Sequence, residues 1–345
     1  MQKINDLTPE DLPDFFMETA IRMGIPSPTI IEKDFWLIQT LRGLFNTSIS
    51  NHPLVFKGGT SLSKCFGLIQ RFSEDIDLTL SRQSLGFDES LEDIASYGSK
   101  KRAHYFDALA EAANAEISQL KERLSSYFGK QLNHSNTWSI EIDTQDPQQL
   151  LFNYPLLLKP SLYPDNAYVK PKIRLEFGCR GDQNPHMTSS IVTYIESTFS
   201  DIFTAEPISV DVLDPARTFW EKATLLHMLA HQKADKTLQP RMARHYYDLY
   251  CLTQSPIGAR ALDNIDLLLT VAQHKSIFFR SKQAAYDEAK PGSLRLIPDH
   301  HLLSRVKQDY LAMEEMFFGD IIPFEKILSE LQRLEHKINT AIQPG

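Results

Sequence analysis

Apolar positions recur at helical spacing over residues 8–24 (TPEDLPDFFMETAIRMG) and 29–46 (TIIEKDFWLIQTLRGLFN), which predicts two helices with Thr8 and Ser27 or Thr29 as N-caps. A short apolar strand, two glycines, a Thr-Ser pair and a helical segment follow in PLVFKGGTSLSKCFGLI. In RFSEDIDLTL, Ile76, Leu78 and Leu80 alternate with Asp75, Asp77 and Thr79. Period two predicts a strand with both carboxylates on one face and the apolar side chains on the other. Residues 88–130 are charged and Ala-rich and read as a long helix or helical pair inserted between strands. WSIEIDT, LLFNYPLLL and VKPKIRLEFGCR read as further strands. From Ala216 onward the pattern is helical, interrupted at Pro240, Pro256, Pro291 and Pro298. The expected class is α+β: a mixed sheet with flanking helices over residues 1–206, then an all-α domain over 207–345.

With 345 residues, 42% hydrophobic and 23% charged, the composition is that of a globular protein with room for two cores. No apolar run reaches the roughly 18 residues needed to cross a bilayer. The N-terminal stretch MQKINDLTPEDLPDFF has no apolar signal core, and Cys65, Cys179 and Cys251 form no CxxC pair, so the expected location is the cytoplasm. A formal charge of −8 argues against non-specific coating of nucleic acid while leaving room for a local basic groove.

The strand DID carries the chemistry. Aspartates at i and i+2 on a strand share a face, about 6–7 Å apart, and two like charges that close call for a cation. Hard oxygen ligands suit Mg²⁺, whose shell substrate phosphates complete. Taken alone, a DxD is a weak signal and is better explained by a solvated strand face. Upstream, Gly58 and Gly59 allow close backbone approach before a helix whose first-turn N–H groups attract phosphate, with Thr60 and Ser61 as hydroxyl donors. The bland reading is a tight turn with an ordinary N-cap, and the spacing is not that of a P-loop. In combination, the turn and the acid pair aim an anion site and a metal site at one place.

These residues resemble a known signature. KGGTSLSKCFGLIQRFSEDIDL is similar to the motif of the DNA polymerase β-like nucleotidyltransferases. More narrowly it resembles the AbiEii/AbiGii (MenT-like) toxin nucleotidyltransferases, whose pattern is close to KGGTxL…RxSxDxDL. EKDFWL at 32–37, LDPARTFWEKATLLH at 213–227 and RHYYDLYCL at 244–252 resemble the family's other segments, so ordered matches span roughly residues 32–252. The resemblance implies a polymerase β-like core with Lys57, Gly58, Gly59, Thr60, Ser61, Arg71 and Ser73 at the nucleotide. It implies Asp75 and Asp77 on the metal, Lys222 on the phosphates, and Asp248 as a further essential acid. The superfamily's third carboxylate is assigned to Glu176, because Ile173, Leu175 and Phe177 alternate with Lys172, Arg174 and Glu176. That position is Glu where Asp is commoner, and Tyr247 stands before Asp248 where the family's last motif often has Arg-Asp.

Read without the resemblance, Lys222 would be a solvated lysine on a helix, and Arg244 and Asp248 an i, i+4 pair. His227 and His231 have the spacing of two zinc ligands, but Met228 stands where a zincin has Glu, so surface or core histidines are expected. His300 and His301 read as loop residues, and Trp36, Trp138 and Trp220 as core. Lys170, Lys172 and Arg174, and the cluster Arg241, Arg244 and His245, could line an acceptor groove.

The expected reaction is transfer of an NMP from an NTP to an acceptor, with two Mg²⁺ ions bridged by Asp75 and Asp77. The resemblance further implies a toxin of a toxin–antitoxin or phage-defence pair, with tRNA as acceptor and a separately encoded antitoxin as partner. The competing readings are a kinase-like phosphoryl transferase and a non-catalytic nucleotide-binding module.

Overall fold

The computed structural model describes residues 2–46, 49–132, 137–164, 169–233, 238–281 and 283–340. In chain order the helices begin with α1 (Leu12–Met23), α2 (Pro28–Asn46), α3 (Gly58–Lys64), α4 (Leu91–Ser96), α5 (Ser99–Gln131) and α6 (Tyr194–Thr198). They continue with α7 (Pro215–Ala230), α8 (Ala243–Thr253), α9 (Pro256–Leu262), α10 (Ile265–Phe278), α11 (His300–Leu311) and α12 (Phe324–Thr340). The strands are β1 (Leu54–Lys57), β2 (Asp75–Leu80), β3 (Ser139–Ile142), β4 (Gln149–Asn153), β5 (Ile173–Gly178), β6 (His186–Ile191) and β7 (Ile208–Leu213).

The chain divides into two compact units. The first holds residues 1–67, 71–88 and 97–212, and the second holds 68–70, 89–96 and 213–345. The division expected after residue 206 does not coincide with this one, because β7 pairs in parallel with β1 and so stays with the first unit. The expected insertion at 88–130 is a helical pair whose short member, α4, clusters with the second unit while α5 clusters with the first.

The first unit is built on one mixed sheet in the order β3-β4-β5-β2-β1-β7-β6. Strand β2 is antiparallel to β1 and parallel to β5, and β4 is antiparallel to β3 and β5. Period-two alternation separates the faces. Ile76, Leu78, Leu80, Leu150, Phe152, Ile173 and Leu175 are fully buried, whereas Asp75, Asp77, Arg174 and Glu176 are half-buried on the other side. Helix α5 presents Leu109, Ala113, Ile117, Leu120, Leu124 and Phe128, all buried, at helical spacing. Trp36 of α2 stacks on Tyr154 and meets Phe152 edge-on.

Two differences from the sequence reading have physical causes. The expected strand through LLFNYPLLL stops at Asn153: Pro155 has no N–H for a ladder, and the Leu157 N–H donates instead to Glu32 Oε1 at 2.6 Å. Strand β6 lies at the sheet edge with only Ile191 buried, so its sequence carries no apolar alternation to mark it as a strand.

The second unit is helical, with no strand lying wholly within its described residues. Pro256 occupies the first turn of α9, where its missing N–H costs no helical bond. His300 and His301 open α11 rather than lying in a loop. Among the described residues no helix is long and apolar enough to cross a membrane.

Candidate active site

Cross-strand register assembles a polar row on the open face of the sheet. Lys57 of β1 is opposite Asp77 of β2, Asp77 is opposite Glu176 of β5, and Glu176 is opposite Gln149 of β4. Paired residues on neighbouring strands point to the same face, so four polar side chains lie in line at the roughly 4.8 Å strand spacing. One step along the strands, Asp75 is opposite Arg174. Lys57, Asp77, Glu176 and Gln149 border a cavity of about 180 Å³, together with Asp146, Gln148, Phe177 and Gly178.

The diglycine turn closes the β1 end of this row. Gly58 has φ +79°, and a Cβ there would overlap the Asp77 carboxylate. Only glycine lets the backbone pass so near that oxygen. Gly59 is constrained by space instead: its Cβ would stand 2.6 Å from Arg71 Nη2 and 2.7 Å from Ser73 Oγ. Arg71 is buried, and its Nη1 donates to the Phe72 carbonyl at 3.1 Å. The Thr60 hydroxyl donates to the Asp75 carbonyl at 2.5 Å and the Ser61 hydroxyl to the Gly58 carbonyl at 3.0 Å. Both hydroxyls therefore tie the turn to β2 and to itself.

Helix α2 holds this arrangement from behind. Lys33 Nζ lies 2.7 Å from Glu74 Oε2, next to Asp75 in the chain, and 2.8 Å from the Lys170 carbonyl. Asp34 Oδ1 pairs with Lys64 Nζ, at the end of α3, at 2.6 Å, and its Oδ2 accepts from the Tyr194 N–H at 2.7 Å. Sequence reading missed these braces; the EKD segment signalled that the residues matter, without indicating partners.

Acidic charge is left over on the open face. Burial, reinforced by Glu74 and Asp77, pushes the Asp75 carboxyl above its usual range, against the opposing pull of Lys33 and Arg174. No hydrogen bond or ion pair joins the Asp75 or Asp77 carboxylate to another described residue. Among the described residues no three His, Cys, Asp or Glu groups form a ready-made metal cage. Hard acidic oxygens in excess, with substrate phosphates still to add ligands, fit Mg²⁺, which commonly binds through one or two carboxylates.

Lys222 and Asp248 belong to the second unit. Lys222 Nζ lies 2.7 Å from Asp248 Oδ2, and both residues are buried rather than solvated. His245 Nδ1 is 3.5 Å from the same ammonium. His227 is a core residue: its Nδ1 accepts from the Arg295 N–H at 3.0 Å and its Nε2 lies 2.9 Å from the Ala285 carbonyl. With both nitrogens engaged, burial lowers its pKa to about 4.

A family model described as "Nucleotidyl transferase AbiEii toxin, Type IV TA system" matches residues 39–330. The chain belongs to the AbiEii family. It is therefore a nucleotidyltransferase and the toxin of a type IV toxin–antitoxin system, which implies an NTP substrate and an antitoxin partner. Among solved structures, MenT4, a nucleotidyltransferase toxin from Mycobacterium tuberculosis H37Rv, is similar with a TM-score of 0.50 at 15% identity. The match covers 98% of this AbiEii chain and 91% of MenT4, and at that identity it speaks for the fold. No curated protein matches the sequence.

Proposed function

We propose that this AbiEii chain transfers an NMP from an NTP to a terminal hydroxyl of RNA, with tRNA the first acceptor class to test. Asp75 and Asp77 would hold two Mg²⁺ ions, with Glu176 a ligand on the acceptor side. The observation that carries the reading is the position of Asp77, between Gly58 on one side and Glu176 on the other. The turn proposed to hold the phosphates and the proposed third carboxylate thus flank Asp77.

The bound metal would neutralise triphosphate charge and lower the pKa of the acceptor hydroxyl. The chain's own residues supply position. The first-turn amides of α3 and the Lys57 ammonium steady the β- and γ-phosphates. Within the second unit Asp248 orients the Lys222 ammonium at 2.7 Å, and both are proposed as essential to transfer. The acceptor oxygen bonds to the α-phosphorus while the bond from α-phosphorus to the bridging oxygen breaks. Pyrophosphate leaves, and the hydroxyl proton passes by way of Glu176 to water. Such transfer is catalysed mainly by positioning and electrostatics. In the cell the chain would act in the cytoplasm as a phage-defence toxin held in check by its antitoxin.

The test is incubation with each α-labelled and γ-labelled NTP, Mg²⁺ and total RNA. Label from the α-position on RNA is expected. Label from the γ-position alone would mean kinase-like chemistry and overturn the proposal.

A further inference from the structure

We infer that Gln149, oriented by Asp146, contacts the ribose of the acceptor RNA's terminal nucleotide. This inference rests on the proposed roles of Asp75, Asp77 and Glu176.

The argument is directional. In-line transfer puts the leaving pyrophosphate and the attacking hydroxyl on opposite sides of the α-phosphorus. The diglycine turn, where the leaving phosphates would sit, lies at the β1 end of the polar row, against Asp77. The acceptor must then approach from the other end, past Glu176 toward β4. Gln149 is the residue on that side, in register with Glu176 and about one strand spacing, roughly 4.8 Å, beyond it. The cavity of about 180 Å³ bordered by Asp77 and Glu176 extends to Gln149 and Asp146, so there is space where the approach requires it.

The local chemistry suits a hydroxyl. Gln149 Nε2 donates to Asp146 Oδ2 at 2.9 Å, and Asp146 Oδ1 accepts from the Gln148 N–H at 2.9 Å. The carboxylate thereby fixes the amide so that Oε1, an acceptor with no partner among the described residues, is the end left for a ligand. A ribose whose 3′-hydroxyl reacts beside Glu176 carries a 2′-hydroxyl on the adjacent carbon. That group is a donor which DNA lacks. Gln149 is thus a contact to the acceptor and Asp146 a positioning residue. A purely structural account, in which Asp146 only shapes the β3–β4 turn, predicts no preference for ribose.

The experiment uses the full chain with two probes: total tRNA, and total tRNA whose 3′-terminal nucleotide has been exchanged for its 2′-deoxy form. Equilibrium binding without NTP and transfer kinetics with NTP are both measured. For the wild-type chain, losing the 2′-hydroxyl should weaken binding and raise the KM for RNA about threefold to tenfold, the effect of one hydrogen bond. Gln149→Leu should impose the same factor on ordinary tRNA and none on the deoxy form, with the KM for NTP unchanged. Asp146→Asn should fall between wild type and Gln149→Leu, and it decides the matter if Gln149→Leu fails to fold. Independent, multiplying effects of the deoxy probe and the substitution would overturn the inference, as would a wild-type chain indifferent to the 2′-hydroxyl. Absence of NMP transfer by a wild-type chain that still distinguishes the two tRNAs would count against the proposed reaction alone.

Discussion

Helix α2 and strand β2 both carry charge into the first unit, and they resolve it differently. On α2, Glu32, Lys33 and Asp34 are consecutive and 0%, 2% and 2% exposed. Each is compensated inside the protein: Glu32 by Tyr163 and the Leu157 amide, Lys33 by Glu74, and Asp34 by Lys64. On β2, Asp75 and Asp77 are half-buried and meet no such partner among the described residues. A buried ion costs several kcal/mol unless it is paired and hydrogen-bonded. Charge settled internally is scaffold. Charge left unsettled on an open sheet face is available to a cation or a ligand, as the proposed reaction requires.

The comparison breaks most sharply at Asp77. Asp77→Ala should lower NMP transfer about a thousandfold or more, the equivalent of several kcal/mol of transition-state stabilisation. Its metal-free melting temperature should not fall, because no internal partner is lost. An α-label transfer assay and a thermal melt on the same preparation check both halves; transfer at a wild-type rate would remove Asp77 from the site.

The opposite result is expected on α2. Lys33→Met strands Glu74 without its cation, and breaking one side of a buried pair costs about 3–5 kcal/mol. Urea denaturation should register the loss, and adding Glu74→Gln should recover part of it. If Lys33→Met were neutral, the division of α2 as scaffold and β2 as site would fail.

How much of this could be read in the sequence depended on whether the determining interactions were local. The DID alternation, the glycine pair and the long helix near 88–130 are local patterns, and they form as the sequence indicates. Alternation within its own strand points to Glu176, yet its placement beside Asp77 is a register between residues far apart in the chain. Lys33 with Glu74, and Lys222 with Asp248, are likewise long-range pairs that leave no periodic trace. Gln149 carried no signal, since a glutamine at the start of a strand is ordinary until the strand's neighbour is known. The edge strand β6 lacked the apolar face on which strand recognition depends.

Gly58 sharpens the comparison at the point where backbone meets carboxylate. Gly58→Ala places a left-handed φ of +79° on a residue with a Cβ that overlaps Asp77. The conformational part costs about 1–2 kcal/mol of stability. Transfer should fall further, by about 10- to 100-fold, as the Asp77 carboxylate is displaced. Gly24→Ala, at φ +64° with open space around it, is the control: it shares the conformational cost and should leave transfer intact.

The smallest effect isolates the unsettled charge itself. The folded Asp75 carboxyl is pushed above its ordinary value of 3.8 by burial and by Glu74 and Asp77, whereas in the unfolded chain it titrates normally. Between those two values the folded chain keeps a proton that the unfolded chain has lost. Stability from this group therefore falls as pH rises through the window, and the deficit persists at neutral pH. Asp75→Asn cannot ionise, so the metal-free variant should melt higher than wild type at neutral pH, and the gap should shrink as pH drops toward the ordinary carboxylate range. Mg²⁺, which binds the folded state, should raise the wild-type melting temperature more than that of Asp75→Asn. Melts at several pH values with EDTA or Mg²⁺ measure all three. A less stable Asp75→Asn at neutral pH would mean that Asp75 is compensated internally after all, and the contrast between α2 and β2 would no longer point to a ligand.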